Sequence, residues 1–349
     1  MTNQLYLDHA ASAPLLPAAR DALCEGYGRW ANPSSPHAQG RAVRAALEDA
    51  RSRIADVLGW KGEIVLTSGA SEALGIAIGR ARVPLAAVSA VEHEAVLRLA
   101  GDAPRLPVDN GGCANPADAA LPGLVAVQHV NNETGVIQPL AAIGVAVRGA
   151  GGLLLADCAQ SAGKIALPDA DMCVIAAHKF GGPVGVGALL LREWAMIEPV
   201  GGQERGYRPG TEAMPLILAM AAALEAGNGW LDEAARLRAL LEAEITASGG
   251  EVVAADSARI PTIGACRMPG VAATVQLIRF DAQGIAVSAG SACSSGSLKT
   301  SHVHAAMGLD AKIASELLRI SIGRETTEAD IRRFVDVWRT IAAGARAAA

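Results

Sequence analysis

The 349-residue sequence has few aromatic side chains, which make up only 3% of its residues. A hydrophobic content of 51% and a mean hydropathy of +0.28 still allow a large buried core. That core must be built mostly from Ala, Val, Leu and Ile. An excess of basic residues is also lacking, because 30 Lys and Arg face 35 Asp and Glu, which gives a net charge of −5. We therefore expect no direct nucleic-acid binding.

Segments that would carry the chain into or across a membrane are not evident either. The first ten residues, MTNQLYLDHA, have neither the basic start nor the apolar stretch of a secretory signal. The longest apolar stretch, around residues 216–224, is shorter than the roughly 20 residues that span a bilayer. We expect a soluble, cytoplasmic protein with no membrane partner.

Cysteine pairs are missing as well. The six cysteines include no C-x-x-C pair, which argues against a zinc site or a disulfide framework. We expect five of them to be free thiols in a reducing compartment. The sixth, Cys293, lies in SAGSACSSGS, where small and polar neighbours offer no apolar packing, so a reactive thiol is favoured over a buried one. His302 and His304 follow it, but no further ligands stand at matching spacing, and no metal site is predicted.

The length suggests two domains. Short apolar runs alternate with helix-length segments over the first two thirds, a pattern that predicts an α/β domain with a mostly parallel sheet. We place this large domain at residues 13–240 and a small α+β domain at residues 1–12 and 241–349. The serines before Pro36 are predicted to cap a helix that Gly59 ends, and Thr327 with Asp330 has the spacing of a capping box.

Several polar residues come just after the apolar runs. Asp157 ends GLLLAD, Lys179 follows DMCVIAAH, and His93 follows LAAVSA. Residues 68–71, between a strand and a helix, offer backbone N–H groups as a phosphate cradle. Each feature alone is ordinary in a loop or a helix cap. Together, at the carboxyl edge of one sheet, they supply the amine, carboxylate, anion cradle and flat ring partner that pyridoxal 5′-phosphate requires.

Almost from end to end, the chain resembles the NifS-like cysteine desulfurases of the class-V aminotransferase fold. The shared motifs, in order, are YLDHAASAP, NPSSPHAQG, TSGASEA, EHEAV, HVNNETGVIQP, DCAQSAGK, AHKFGGPVGVGAL, GGQERGYRPGTE, SAGSACSSGS and LRISIGRETTEADI. The resemblance implies fold type I of the pyridoxal-phosphate enzymes, with a seven-stranded-type sheet in the large domain. It also implies a homodimer, L-cysteine as substrate, and an acceptor or scaffold protein for the sulfur.

The resemblance assigns roles around the cofactor ring. Lys179 holds pyridoxal phosphate and acts as base, and His93 stacks on the ring and moves protons. Asp157 pairs with the pyridine nitrogen, and Gln160 reaches the ring hydroxyl. Cys293 attacks the substrate sulfur and becomes a persulfide.

Further roles concern the phosphate and the substrate. The phosphate is held at the turn that contains Ala70, by Ser71 and His178, and by Thr211 of the neighbouring subunit. The resemblance also gives Asn132 contacts with cofactor and substrate, and it makes Arg319 the clamp for the substrate carboxylate, with Asn32 near it.

The chain departs from the family pattern at a few positions. Ala176 stands where serine is usual two residues before the histidine of the lysine motif, so one phosphate hydrogen bond is expected to be missing. Ser71 replaces a common threonine, Pro209 a common serine, and Cys158 a usual alanine. Two kinds of alternative stay open. One is another enzyme of the same fold, such as a selenocysteine lyase, a sulfinate desulfinase or an aminotransferase, and the other is a regulatory or assembly subunit with little turnover.

Overall fold

The computed structural model describes residues 4–289 and 301–348, with side chains described up to residue 344. Over this part of the chain, none of the helices combines the length and the apolar character needed to cross a membrane. Cys293 lies outside the described residues.

Helices and strands alternate through most of the described chain. The helices are α1 (Pro17–Tyr27), α2 (Ala38–Leu58), α3 (Ala70–Gly79), α4 (Glu94–Leu97), α5 (Leu140–Gly149), α6 (Met214–Glu225), α7 (Leu231–Ala247), α8 (Ala273–Ala282), α9 (His302–Ala306), α10 (Ala311–Ala314) and α11 (Glu328–Ala348). The strands are β1 (Leu5–Tyr6), β2 (Glu63–Thr67), β3 (Leu85–Ser89), β4 (Arg105–Leu106), β5 (Leu124–Gln128), β6 (Leu153–Asp157), β7 (Met172–Ala176), β8 (Gly187–Leu191), β9 (Glu251–Val252), β10 (Ile263–Arg267), β11 (Ile285–Ala286) and β12 (Leu317–Ser321).

A seven-stranded sheet with the order β2-β8-β7-β6-β5-β3-β4 forms the centre of the described structure. The neighbours from β7 to β4 pair in parallel, whereas β8 runs antiparallel to both β7 and β2. β5, β7 and β8 are buried at every position, as strands covered on both faces must be. The predicted mostly parallel sheet of an α/β fold is confirmed.

Helices cover both faces of this sheet. On one face, Leu47 and Ile54 of α2 and Met220 of α6 join the buried cluster. On the other face, Leu74 and Ala77 of α3 pack over the strands. This layering leaves the loops at the carboxyl ends of the strands free to form a site.

Two smaller sheets lie beside the central one. β9, β10 and β12 form an antiparallel sheet, and β1 pairs in parallel with β11. Their core contains Trp338 and the stacked rings of Phe280 and Phe334, whose centroids are 4.7 Å apart. Three of the four buried aromatic residues of the described chain thus lie in this smaller core, where they fill space with large side chains. Leu7 also packs there, and the proposed domain limits remain predictions.

One local prediction is wrong. His37, not a serine, caps α2, because its Nδ1 accepts a hydrogen bond from the Gly40 N–H at 3.2 Å. Gly59 ends α2 in a left-handed conformation with φ of 63°, as predicted. The capping box at α11 is also confirmed, since the Thr327 N–H donates to Asp330 and the Asp330 N–H donates to Thr327 Oγ1.

Candidate active site

A cavity of about 670 Å³ opens where the carboxyl ends of the parallel strands meet, a size typical of cofactor sites. Asn32 and Thr211 are exposed and do not line it. Nine of the residues given a cofactor or substrate role from the sequence do line it: Ala70, Ser71, His93, Asn132, Asp157, Gln160, His178, Lys179 and Arg319.

Asp157 is the last residue of β6, and only 8% of it is exposed. Its Oδ1 accepts a hydrogen bond from the Ala159 N–H at 2.9 Å, which fixes the carboxylate at the cavity wall. Burial raises the pKa of Asp157, whereas the Ala159 N–H and the charges of His93 and Lys179 lower it. A buried carboxylate facing a cavity needs a cationic or hydrogen-bonded partner, and a protonated pyridine nitrogen meets that need.

Lys179 ends a short 3₁₀ turn, Ala177–Lys179, that directly follows β7. Its Nζ donates to the carbonyl oxygens of Ala10 and Ala11, at 2.7 and 2.9 Å. Burial and, to a smaller extent, the nearby Arg319 charge lower the pKa of Lys179 to about 8 against the opposing effects of Asp157 and Asp8. An amine with this pKa is partly neutral at physiological pH, so it can act as nucleophile or base.

His93 caps the first turn of α4. Its Nδ1 accepts from the Ala95 N–H at 3.2 Å, so the neutral ring carries its proton on Nε2. Burial lowers the pKa of His93, and the Lys179 charge adds to this effect against the attraction of Asp157. Near neutral pH, His93 is therefore an uncharged flat ring.

The N-terminus of α3 provides the anion cradle. α3 begins directly after Gly69, which has no side chain to cap the helix, and Ala70 and Ser71 line the cavity. Gly69 has a φ of 150°, which favours glycine at this position. Glu72 in the same turn would repel an anion, but its Oε1 is paired with Arg208 Nε at 2.9 Å, and its Oε2 accepts from the Ser68 N–H, which is therefore not free for a phosphate. Uncapped N–H groups at a helix start suit a phosphate.

Ala176 and His178 line the same cavity as the start of α3. Burial lowers the pKa of His178 to about 4, so this ring offers a hydrogen bond and no charge. Its Nδ1 is 3.4 Å from Ser12 Oγ. Ala176 faces the same cavity with a methyl group where a serine would offer a hydroxyl. The cavity therefore fits a phosphorylated pyridine aldehyde with one side-chain donor fewer.

Arg319 lies in the middle of β12, and its side chain is only 7% exposed. Its Nη2 contacts Asp8 Oδ1 at 2.7 Å, and its Nη1 donates to the Asn132 carbonyl oxygen at 3.0 Å. Its Nε is buried and has no hydrogen-bond partner among the described residues. A buried guanidinium with an unused donor at a cavity suits a carboxylate ligand.

Comparison with known proteins identifies the family. The class-V aminotransferase profile matches residues 5–334. The chain belongs to the class-V aminotransferase family. It is 35% identical over 377 residues to a cysteine desulfurase IscS of Dictyoglomus turgidum, covering 98% of this chain and 95% of that protein.

Solved structures agree with this assignment. A NifS-like protein from Rickettsia africae matches with a TM-score of 0.89 and 27% identity, covering 97% of this class-V family chain and 99% of that one. The structure of SspA in complex with cysteine matches with a TM-score of 0.79 and 28% identity, covering 93% and 100% of the two chains. The resemblance to NifS-like cysteine desulfurases is confirmed, and so is the fold class.

Two charged residues of this class-V family site were missed by the sequence reasoning. Asp8 belongs to the YLDHAASAP motif, and that motif was the signal that pointed to it. Lys164 is buried behind the cavity, and its Nζ is 3.5 Å from Gln160 Oε1. Gln160 Nε2 in turn donates at 2.8 Å to the Ala10 carbonyl oxygen, which also accepts from Lys179. A lysine four residues after Gln160 in DCAQSAGK was visible in the sequence, but nothing there marked it as buried.

Proposed function

We propose that this family member is a cysteine desulfurase that binds pyridoxal 5′-phosphate at Lys179 and converts L-cysteine to L-alanine. The observation that carries the proposal is that Lys179, Asp157, His93 and Arg319 all line one cavity. When bound, the cofactor supplies an electron sink for cleaving bonds at the substrate Cα and Cβ. The protein residues bind, orient and move protons around it.

Arg319 binds the substrate carboxylate through its fork of N–H groups, including Nε, which has no partner within the described part of the chain. Asn132 and Asn32 complete this part of the site in the proposal. Lys179 removes the Cα proton, because its lowered pKa of about 8 leaves part of the amine neutral. His93 stacks on the cofactor ring and exchanges a proton through Nε2.

Other residues hold the cofactor. Asp157 accepts the pyridinium proton in a hydrogen bond, and Gln160 donates to the ring hydroxyl. The phosphate binds the start of α3 at Ala70 and Ser71, with His178 beside it. Thr211 reaches the phosphate site from the neighbouring subunit of a homodimer.

The Cys293 side chain, ionised to a thiolate, is the nucleophile that accepts the sulfur. Its sulfur attacks the substrate sulfur, an S–S bond forms, and the substrate Cβ–S bond breaks. The substrate carbon is reduced to the methyl group of alanine, and the transferred sulfur is oxidised to the level of a persulfide. Atoms balance without another reagent, since L-cysteine and the enzyme thiol give L-alanine and the enzyme persulfide.

We propose that the persulfide then passes its sulfur to an acceptor protein in the cytoplasm, in iron–sulfur cluster assembly or in thio-cofactor or tRNA thiolation. We expect a homodimer, and the elution volume in size-exclusion chromatography reports this oligomeric state.

The test is Cys293→Ser, with Cys24→Ser, which changes an exposed free thiol, as the matched control. The Cys293 variant is expected to keep the yellow bound cofactor and to lose sulfide release from L-cysteine. The control is expected to keep both. Normal sulfide release by the Cys293 variant would overturn the proposed nucleophile. Transamination of a keto acid without sulfide release would instead favour an aminotransferase, and turnover of selenocysteine alone would favour a lyase.

A further inference from the structure

The first turn of α9 is fastened to two loops of the active-site cavity. His302 Nε2 lies 2.8 Å from the Glu92 carbonyl oxygen, to which it donates. Glu92 directly precedes His93. α9 begins just after residues 290–300, which include Cys293. The chain that leaves this segment is therefore attached beside a proposed catalytic ring.

Ser301 makes the second attachment. Its hydroxyl donates to Glu133 Oε2 at 2.7 Å and accepts from the N–H groups of Val303 and His304, at 3.1 and 3.3 Å. Ser301 is only 5% exposed, and Glu133 only 3%. A serine hydroxyl has one proton, so this contact uses its whole donor capacity. The Ser301 side chain is thus fixed between α9 and the loop that carries Asn132.

Glu133 is an unusual choice for a buried position. Burying a carboxylate is unfavourable unless hydrogen bonds or a charge compensate. Its described side-chain contacts are Ser301 Oγ and, more weakly, His304 Nε2 at 3.7 Å. Both ring nitrogens of His304 are buried without a hydrogen-bond partner among the described residues. The Glu133 carboxylate is therefore buried at an energetic cost at the point where it accepts the Ser301 hydrogen bond. This cost indicates that the contact has a role beyond packing.

The segment is attached at its other end as well. The backbone N–H of Arg319 donates to the Ser288 carbonyl oxygen at 2.7 Å, and the backbone N–H of Ser288 donates to the Arg319 carbonyl oxygen at 3.3 Å. Cys293 is five residues after Ser288 and eight before Ser301.

We propose that Glu133 is a positioning residue that, through Ser301, fixes the start of α9 and with it the downstream anchor of the sequence that contains Cys293. The inference rests on the proposed function, in which Cys293 accepts the sulfur. The upstream attachment at Ser288 remains when the Glu133 contact is lost, so sulfur transfer slows without stopping. Misplaced reacting groups typically cost one to two orders of magnitude in rate, so we expect a fall of roughly 10- to 100-fold.

The experiment uses the cofactor-bound enzyme with Ser301→Ala and Glu133→Met, and Ser301→Thr as the conservative control that keeps the hydroxyl. The rate of persulfide formation on Cys293 is measured in a single turnover with L-cysteine. The exchange of the substrate Cα proton with deuterated water reports on Lys179 and the cofactor independently of Cys293. The visible spectrum and KM for L-cysteine report on binding.

We expect both disruptive variants to slow persulfide formation while proton exchange, spectrum and KM stay within twofold of the wild type. Ser301→Thr should restore most of the rate. An unchanged persulfide rate in whichever disruptive variant folds would overturn the inference, and so would an equal loss of proton exchange, which would indicate a general structural role. Failure of the proposed function has a different signature, because Cys293→Ser would then still form sulfide at the normal rate.

Discussion

Replacing Lys164 with methionine is expected to stabilise the protein in a strongly pH-dependent way. Lys164 is 6% exposed, and its ammonium has a single described hydrogen-bond acceptor, Gln160 Oε1, at the long distance of 3.5 Å. Burial lowers its pKa from 10.5 to about 7, and the Lys179 charge contributes in the same direction. Methionine keeps the length of the side chain and removes the charge.

The magnitude follows from the two pKa values. Below pH 7 both the folded and the unfolded chain carry the protonated lysine, and the full cost of burying the charge is present. The difference between 10.5 and about 7 corresponds to about 5 kcal/mol at 1.36 kcal/mol per pH unit. As the pH rises from 7 towards 10.5, the unfolded state binds more protons than the folded one, so stability increases and the cost shrinks. Above pH 10.5, Lys164 is neutral in both the folded and the unfolded state, and the electrostatic cost of burying it is gone.

The assay is urea unfolding of the cofactor-free wild type and Lys164→Met at pH 6, 8 and 10. Using the cofactor-free forms keeps changes in cofactor affinity out of the comparison. The stability gain of the variant should be largest at pH 6 and fall by about 1.4 kcal/mol per pH unit above pH 7. Lys61→Met, at an exposed lysine, is the matched control and should show no such trend. A gain for Lys164→Met that is the same at all three pH values would refute the reasoning, because it would mean that the buried ammonium keeps its charge.

Two further predictions concern substrate and cofactor. Arg319→Lys should raise KM for L-cysteine by about tenfold or more while the visible spectrum is kept, since an ammonium cannot replace the guanidinium fork; steady-state kinetics measure this, and an unchanged KM would exclude Arg319 as the carboxylate clamp. Ala176→Ser should tighten binding of pyridoxal phosphate to the apo-protein by supplying a hydroxyl at the cradle; spectrophotometric titration measures this, and equal affinities would show that the missing hydroxyl is immaterial.

The sequence predicted the central sheet and several polar residues that line the cavity because both depend on local patterns. Strands buried on both faces read as short apolar runs, and the polar residue that ends each run must lie at the carboxyl edge of the sheet. Asp157 and Lys179 were found in this way. The residue that caps α2 was not predicted correctly, because Asn32 and the serines after it form their own turn. In that turn, Asn32 Oδ1 accepts from the Ser34 N–H at 2.8 Å. That turn leaves His37 as the residue at the helix start.

Contacts between distant parts of the chain could not be predicted in the same way. Asp8 and Arg319 are 311 positions apart, and Glu133 and Ser301 are 168 apart. Neither pair has a spacing that a helix or strand would impose. Both pairs form only in the folded chain, where β12 is bridged to the segment at Asp8 and α9 lies against the cavity loops.

The long-range pair between Asp8 and Arg319 also links substrate binding to the basicity of Lys179. The Arg319 charge lowers the pKa of Lys179, whereas Asp8 raises it. In the proposed function, a substrate carboxylate bound to Arg319 offsets the positive charge that lowers the pKa of Lys179, so the pKa of the Lys179 amine rises once that amine is free. The backbone N–H of Arg319 also donates to the Ser288 carbonyl oxygen at 2.7 Å. The same residue therefore joins the proposed carboxylate site to Ser288, five residues before Cys293 in the sequence.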